Sequence, residues 1–143
     1  MPQEHPVEEQ PRAFVRQAGG KRLVSTVRQH EVVTDRKLAD GGSDTGCTSG
    51  ELLLVAIGSC TTGSIRTYLQ SQGLPSSELA VAVGFEPSEA GDRDRIAIEV
   101  SLPEEVIRER RPAIEQAAAG GAVVGRIRLG SEVALRFRAA EQS

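Results

Sequence analysis

Apolar residues recur along this chain in two rhythms. From Leu79 to Phe85 they fall on alternate positions, Leu79, Val81, Val83 and Phe85, which predicts a half-buried strand. Asp92-Arg93-Asp94 supplies a turn, and residues 95–102 pair back as the second arm of a hairpin. Earlier, Phe14-Val15 precedes the turn signal Gly19-Gly20; residues 23–27 form a second strand and residues 30–34, around Val32-Val33, a third. Val133, Leu135 and Phe137 alternate in a predicted closing strand. Between the two strand groups the spacing becomes helical, with Leu53, Ala56, Ile57 and Cys60 on one face.

The punctuation sets the limits of that helix. Thr48 and Glu51 stand in the spacing of a capping box, and Glu51 also lies at the favourable end of the helix dipole. Gly73 and Pro75 are a stop signal. Gly58 and Gly63 cost the helix interior roughly 1 kcal/mol each relative to Ala. That cost makes sense if another backbone passes close by, so the helix is expected to be central and two-sided. A second helix opens at Pro103-Glu104-Glu105 and reaches towards Ala119, with Pro112 expected to kink or split it and Gly120-Gly121 to end it. Residues 1–12, rich in proline and glutamate, read as a loose tail. The expected fold is α+β: a strand cluster, a long central helix, a β-hairpin and a second helix, all in one domain over residues 13–143.

Composition narrows the function classes. At 143 residues the chain can bury one core, and with only 3% aromatic residues that core is aliphatic. Few aromatic rings, a net charge of −3 and a pI near 5.5 argue against nucleic-acid binding. No apolar run reaches the ~18 residues needed to span a bilayer, so no membrane is expected as a partner. The polar, acidic start, with Glu4, Glu8 and Glu9, is wrong for a signal peptide. The expected location is the cytoplasm, where two cysteines point to chemistry or plain packing rather than to a disulfide framework.

Cys60 is the residue on which function turns: a small buried hydrophobe, or a guarded nucleophile. Its mid-helix position denies it the help of its own helix dipole, so a reactive Cys60 needs positive charge from elsewhere in the fold. Cys47 lies in the glycine-rich loop, residues 40–48. The helical rise from Glu51 to Cys60 is roughly 14 Å, against the ~7 Å between Cα atoms that a disulfide allows. An intrachain Cys47–Cys60 bond is therefore disfavoured, and pairing between subunits stays open. Glu51 is explained by capping alone. His5 and His30 have no partners at metal-like spacing, and His30-Glu31 with Asp35 is too loose for a zinc or iron site, so neither metal nor cofactor is expected. Residues 120–125 lack the Lys-Ser/Thr of a phosphate loop. Arg108, Arg110 and Arg111 beside Glu104, Glu105 and Glu109 read as a solvated helix face. Lys21-Arg22 are turn charges that matter only if their hairpin folds over the central helix.

The residues His30-x-x-x-x-Asp35, Gly41-Gly42-Ser43-Asp44-Thr45-Gly46 and Glu51-Leu52-Leu53-Leu54-Val55-Ala56-Ile57-Gly58-Ser59-Cys60-Thr61 resemble the OsmC/Ohr family of osmotically inducible and organic hydroperoxide resistance proteins. The similarity continues through Tyr68, the 79–102 hairpin and Val124-Gly125-Arg126-Ile127. The resemblance implies an intertwined homodimer with two central helices packed together and sites at the subunit interface. It also implies thiol-based reduction of organic hydroperoxides. Cys60 is then the peroxidatic thiol, and Arg22 the best match to the family's activating arginine, ahead of Arg16. The family carboxylate at the helix start corresponds to Gly50, which makes the adjacent Glu51 a shifted candidate for orienting that arginine.

One part of the family pattern is missing. Its Cys-Pro-Val after the second helix corresponds here to about Ala122-Val123-Val124, and no cysteine follows Cys60. Cys47 stands where the family loop commonly carries proline, so it is not the usual resolving residue. Three readings follow: a one-cysteine thiol peroxidase served by an external thiol or by Cys47; a dimer that binds a small apolar or acidic ligand without turnover; or an accessory dimer in which Cys60 only packs.

Overall fold

The computed structural model describes residues 11–91 and 93–140. Most of the expected tail, with His5 and the acidic Glu4, Glu8 and Glu9, lies outside these residues, as does Asp92 of the expected hairpin turn. The chain divides into two compact units, one up to Leu53 and one from Leu54.

In the first unit the three expected strands form one antiparallel sheet, β1 (Phe14–Gln17), β2 (Leu23–Val27) and β3 (His30–Thr34), in that order. The β1–β2 hairpin turns at Gly19-Gly20, pairing Gln17 with Leu23 and Phe14 with Thr26. Val24, Thr34 and Asp35 are buried, whereas all of β1 is exposed. Beyond β3 the chain makes a short 3-10 turn, Leu38–Asp40, and loops back. Cys47 forms an isolated parallel bridge with Thr34, its carbonyl accepting from the Asp35 amide at 3.1 Å.

Helix α1 (Ser49–Ser71) begins in the first unit and continues through the second. At 23 residues it is long and apolar enough, by length and composition, to cross a membrane. This corrects the expectation that no segment reaches that length. Its buried positions are Ile57, Thr61, Ile65 and Leu69, a strict four-residue row. The predicted inward face was different: Leu53 is 40% exposed and Ala56 is also exposed. The row of four wins because it is the one that meets the rest of the second unit, where Ile65 and Leu69 pack with Ile114, Leu79, Val100 and Leu102.

The second unit adds the hairpin β4 (Ala80–Pro87) and β5 (Asp94–Ser101), paired from Ala80–Ser101 to Pro87–Asp94. Helix α2 (Glu104–Ala119) follows, with Glu104 and Glu105 in its first turn. Pro112 neither splits nor ends α2, contrary to expectation. Proline removes the bond to the carbonyl four residues back, and here both Pro112 and Arg108 lie on the exposed face, where water can take that carbonyl. Two further corrections concern the C-terminal part. Residues 122–129 form a third helix, α3 (Ala122–Leu129), beyond the Gly120-Gly121 ending that the sequence predicts. The predicted closing strand is absent: residues 130–140 have no regular structure, and Val133, Leu135 and Phe137 are 80–92% exposed. Alternation specifies a strand only where an edge is available to pair with, and none pairs with this segment among the described residues.

Candidate active site

The loop before α1 is built around one carboxylate. Asp35 accepts from the Thr45 hydroxyl at 2.7 Å and the Thr45 amide at 3.1 Å, and from the Arg36 amide at 2.7 Å. These bonds, led by the Thr45 hydroxyl, hold the Asp35 carboxyl below its usual range. The loop packs tightly on β3: a Cβ at Gly46 would stand 2.5 Å from the Val33 carbonyl oxygen, so only glycine fits. Asp35 and Gly46 thus explain the loop pattern as a clasp that presents the start of α1.

The expected capping box forms there. The Thr48 amide donates to Glu51 Oε1 at 2.9 Å, and the Glu51 amide donates to Thr48 Oγ1 at 3.2 Å. The bonds to Thr48 lower the Glu51 pKa, with a smaller contribution from the positive charge of Lys37. Glu51 is therefore an ionised carboxylate held in place at Oε1. Arg22 lies in the first unit next to Leu23 of β2, exposed; its backbone closes the hairpin turn, its amide donating to Gly19 and its carbonyl accepting from Ala18. Arg16 sits in β1 opposite Val24 and is exposed. His30, at the start of β3, is exposed. Among the described residues no cluster of three His, Cys, Asp or Glu side chains is placed to hold a metal ion.

Cys60 belongs to the second unit, half-buried, with a free thiol. What lies against its sulfur is the junction between α2 and α3. A Cβ at Gly121 would stand 2.5 Å from Cys60 Sγ and 3.0 Å from Ser64 Oγ, so the thiol rests on bare backbone. Gly121 is also the N-cap of α3. The sulfur thus stands beside the N-terminal end of a second helix, where unpaired amides carry partial positive charge. The residue after Gly121 is Ala122, the first of α3.

The glycines of α1 serve a smaller purpose than expected. Gly58 faces a side chain, Val83 Cγ2, at 3.3 Å from a built Cβ, and Gly63 faces open space. No second backbone approaches either of them within the described residues.

Two cavities flank this part of the second unit. A groove of about 610 Å³ includes Cys60 and runs along α1 past Ser64, Thr67 and Tyr68 to Ser71, with Gln116 and Ala117 of α2 opposite. A separate cavity of about 510 Å³ is aliphatic, lined by Ile65, Ile98, Val100, Leu102 and Ile114 with Arg111 and Arg128 among its polar residues, and does not include Cys60.

Known proteins place this architecture. The profile of the family described as OsmC-like protein matches residues 41–135. None of the curated proteins matches the chain. Among solved structures, one described as an osmotic stress induced and detoxification response protein from Psychrobacter arcticus is similar with a TM-score of 0.64 at 17% identity, covering 79% of this chain and 85% of that one. An organic hydroperoxide resistance protein OsmC from Legionella pneumophila gives 0.58 at 12% identity, over 83% and 89% of the two chains. A third, from Vibrio cholerae and described as an organic hydroperoxide resistance protein with captopril in one of its active sites, gives 0.53 at 17% identity, over 80% and 83%. With the family profile spanning two-thirds of its length and including the capped helix and Cys60, this chain belongs to the OsmC-like family.

Proposed function

We propose that the protein is a thiol-dependent reductase of organic hydroperoxides, with Cys60 as the peroxidatic residue, acting as a homodimer. The observation that carries the reading is the setting of Cys60: a free, half-buried thiol on the Gly121 backbone, beside the start of α3 and open to a groove. The Cys60 thiolate attacks the terminal oxygen of the hydroperoxide. The O–O bond breaks, an S–O bond forms, and the alkoxide leaves and takes up a proton as the alcohol. Cys60 is left as a sulfenic acid, which an external thiol condenses with, releasing water and forming a mixed disulfide. A second thiol then exchanges with that disulfide and frees Cys60.

Arg22 is the proposed activating cation, and Glu51 the carboxylate that orients it. Glu51 suits that role because its hydrogen bonds with Thr48 fix the carboxylate at the start of α1 and keep it ionised. The homodimer is supported by what one chain leaves uncovered: Leu53 and Val55 on α1, and the stripe Val133, Leu135 and Phe137. Free thiols in an acidic chain fit a reducing cytoplasm.

The test compares wild type, Cys60→Ser and Cys47→Ser for consumption of cumene hydroperoxide and for labelling by a sulfenic-acid trap. Loss of both signals in Cys60→Ser is expected; consumption that survives this substitution overturns the reading. A second reading, binding of a small apolar acid without turnover, is favoured by the aliphatic cavity with Arg128 at its edge, where Arg111 is already paired with Glu115. Calorimetry with a medium-chain fatty acid tests it, and no heat of binding would dismiss it.

A further inference from the structure

We infer that the aliphatic cavity beneath α3 binds an unbranched aliphatic monocarboxylate, and that α3 couples its occupancy to Cys60. The inference rests on the acid-binding reading of this cavity and adds to it the link to the thiol. Three positions on one face of α3 and its N-cap carry the argument: Gly121, Val124 and Arg128, at helical spacings of three and four. Gly121 makes the contact with Cys60 Sγ. Val124 is the one buried side chain of α3. It lines both the 510 Å³ cavity and a neighbouring one of about 270 Å³, and the two also share Ile98 and Arg128. The helix is thus seated over hollow space, and from Gly130 to Ala140 the chain has no regular structure to hold it. A side chain that faces a void lacks dispersion contacts on that side. Whatever fills the cavity supplies them to Val124 and fixes α3, and with it Gly121, against α1.

The lining selects the ligand. Ile65, Ile98, Val100, Leu102 and Ile114 offer no side-chain hydrogen bond, which suits an alkyl chain, and the volume is that of a small-molecule site. The charged residues of the lining are Arg111, Glu115 and Arg128. Arg111 and Glu115 pair at 2.9 Å and cancel. Arg128 makes no hydrogen bond or ion pair among the described residues, so the lining carries one excess positive charge. A single guanidinium, exposed at the edge, matches a single carboxylate that stays at the surface while the chain enters.

The experiment uses the Cys47→Ser chain, in which Cys60 is the sole cysteine, with decanoate as the probe. Calorimetry measures decanoate binding to the free thiol and to the form alkylated at Cys60 with iodoacetamide. An adduct on the sulfur crowds Gly121 and displaces α3. The alkylated form should therefore bind decanoate about fivefold more weakly or worse, the low end for coupled sites. Saturating decanoate should in turn slow the alkylation. Arg128→Gln, at an exposed position that keeps the fold, should raise the decanoate dissociation constant about tenfold, the scale of one charge-assisted hydrogen bond. Decanol, which lacks the carboxylate, should bind more weakly than decanoate. Equal affinity of the free and alkylated forms, an unchanged affinity in Arg128→Gln, or decanol binding as tightly as decanoate would overturn the inference. So would decanoate that acts only by releasing a second copy of the chain, seen as a dimer-to-monomer shift in sedimentation velocity. Decanoate that binds both forms equally leaves the acid-binding reading standing while the link to Cys60 falls. No step of the test involves a peroxide, so the peroxidase reading is judged separately by its sulfenic-acid trap.

Discussion

Cys60 and Gly121, sixty-one positions apart in sequence, meet so closely that the smallest side chain at 121 would press on the sulfur, with its Cβ 2.5 Å from Sγ. Two backbone segments that position the thiol, the end of α2 and the start of α3, are thereby tied to α1.

Gly121→Ala should therefore destabilise the protein by about 1–3 kcal/mol, the range for overpacking a filled site. The contact is specific, so Cys60→Ala in the same chain should recover part of that loss. The Ser64 oxygen, 3.0 Å from the same point, prevents full recovery. Urea unfolding of both single variants and the double variant gives the coupling directly. Strict additivity would show that the two residues do not meet.

Thr48→Ala removes the hydroxyl that caps α1 and should cost about 1 kcal/mol in a chemical denaturation curve. The cap and the loop clasp also predict how stability follows pH. Asp35 and Glu51 both have lowered pKa values in the folded chain. A lowered carboxyl pKa means that the folded state binds protons less readily than the unfolded chain. The stabilisation is complete above the unfolded values, near 4, and is lost as pH falls below them through the folded values. Midpoints for thermal unfolding should stay level through neutral pH and drop below about pH 4, and Asp35→Asn should flatten that drop. A drop equally steep in Asp35→Asn would remove Asp35 from the account.

Arg22→Ala should lower hydroperoxide consumption by about a hundredfold, as expected for loss of a group that stabilises developing negative charge. Arg16→Ala should leave the rate within about a factor of two of wild type. Stopped-flow consumption of cumene hydroperoxide by the two variants decides between the arginines, and the reverse ranking would assign the role to Arg16.

Replacing Val133, Leu135 and Phe137 together by Ser should shift the protein from dimer to monomer in sedimentation velocity. A dimer that survives the triple substitution would locate the contact elsewhere, with Leu53 and Val55 the next residues to replace.

Where neighbours in sequence decide the structure, the chain could be read without coordinates. The Thr48–Glu51 cap, the Gly19-Gly20 turn and the β4–β5 pairing all use partners within about twenty residues, and all formed as expected. The inward face of α1 could not be read in that way, because it is chosen by Val100, Leu102 and Ile114, remote in sequence, and a threonine, Thr61, falls in the buried row. Helix α3 escaped because Gly120-Gly121 reads as an ending and Gly125 weakens the eight residues that follow. With it went the signal that Cys60 has a helix start beside it. The contact of Cys60 with the Gly121 backbone came only from the packing of the α2–α3 junction on α1.

On the proposed dimer, the exposed stripe at Val133, Leu135 and Phe137 would have a consequence for the protein's abundance. A chain that hides this stripe only against a second copy is sound above the dissociation constant of the pair and adhesive below it. Newly made protomers would pass through a concentration range in which proteases and chaperones compete with their own kind for the same three side chains. Its level in a cell would then tend towards all or nothing, with dilution, rather than damage, as the event that removes it.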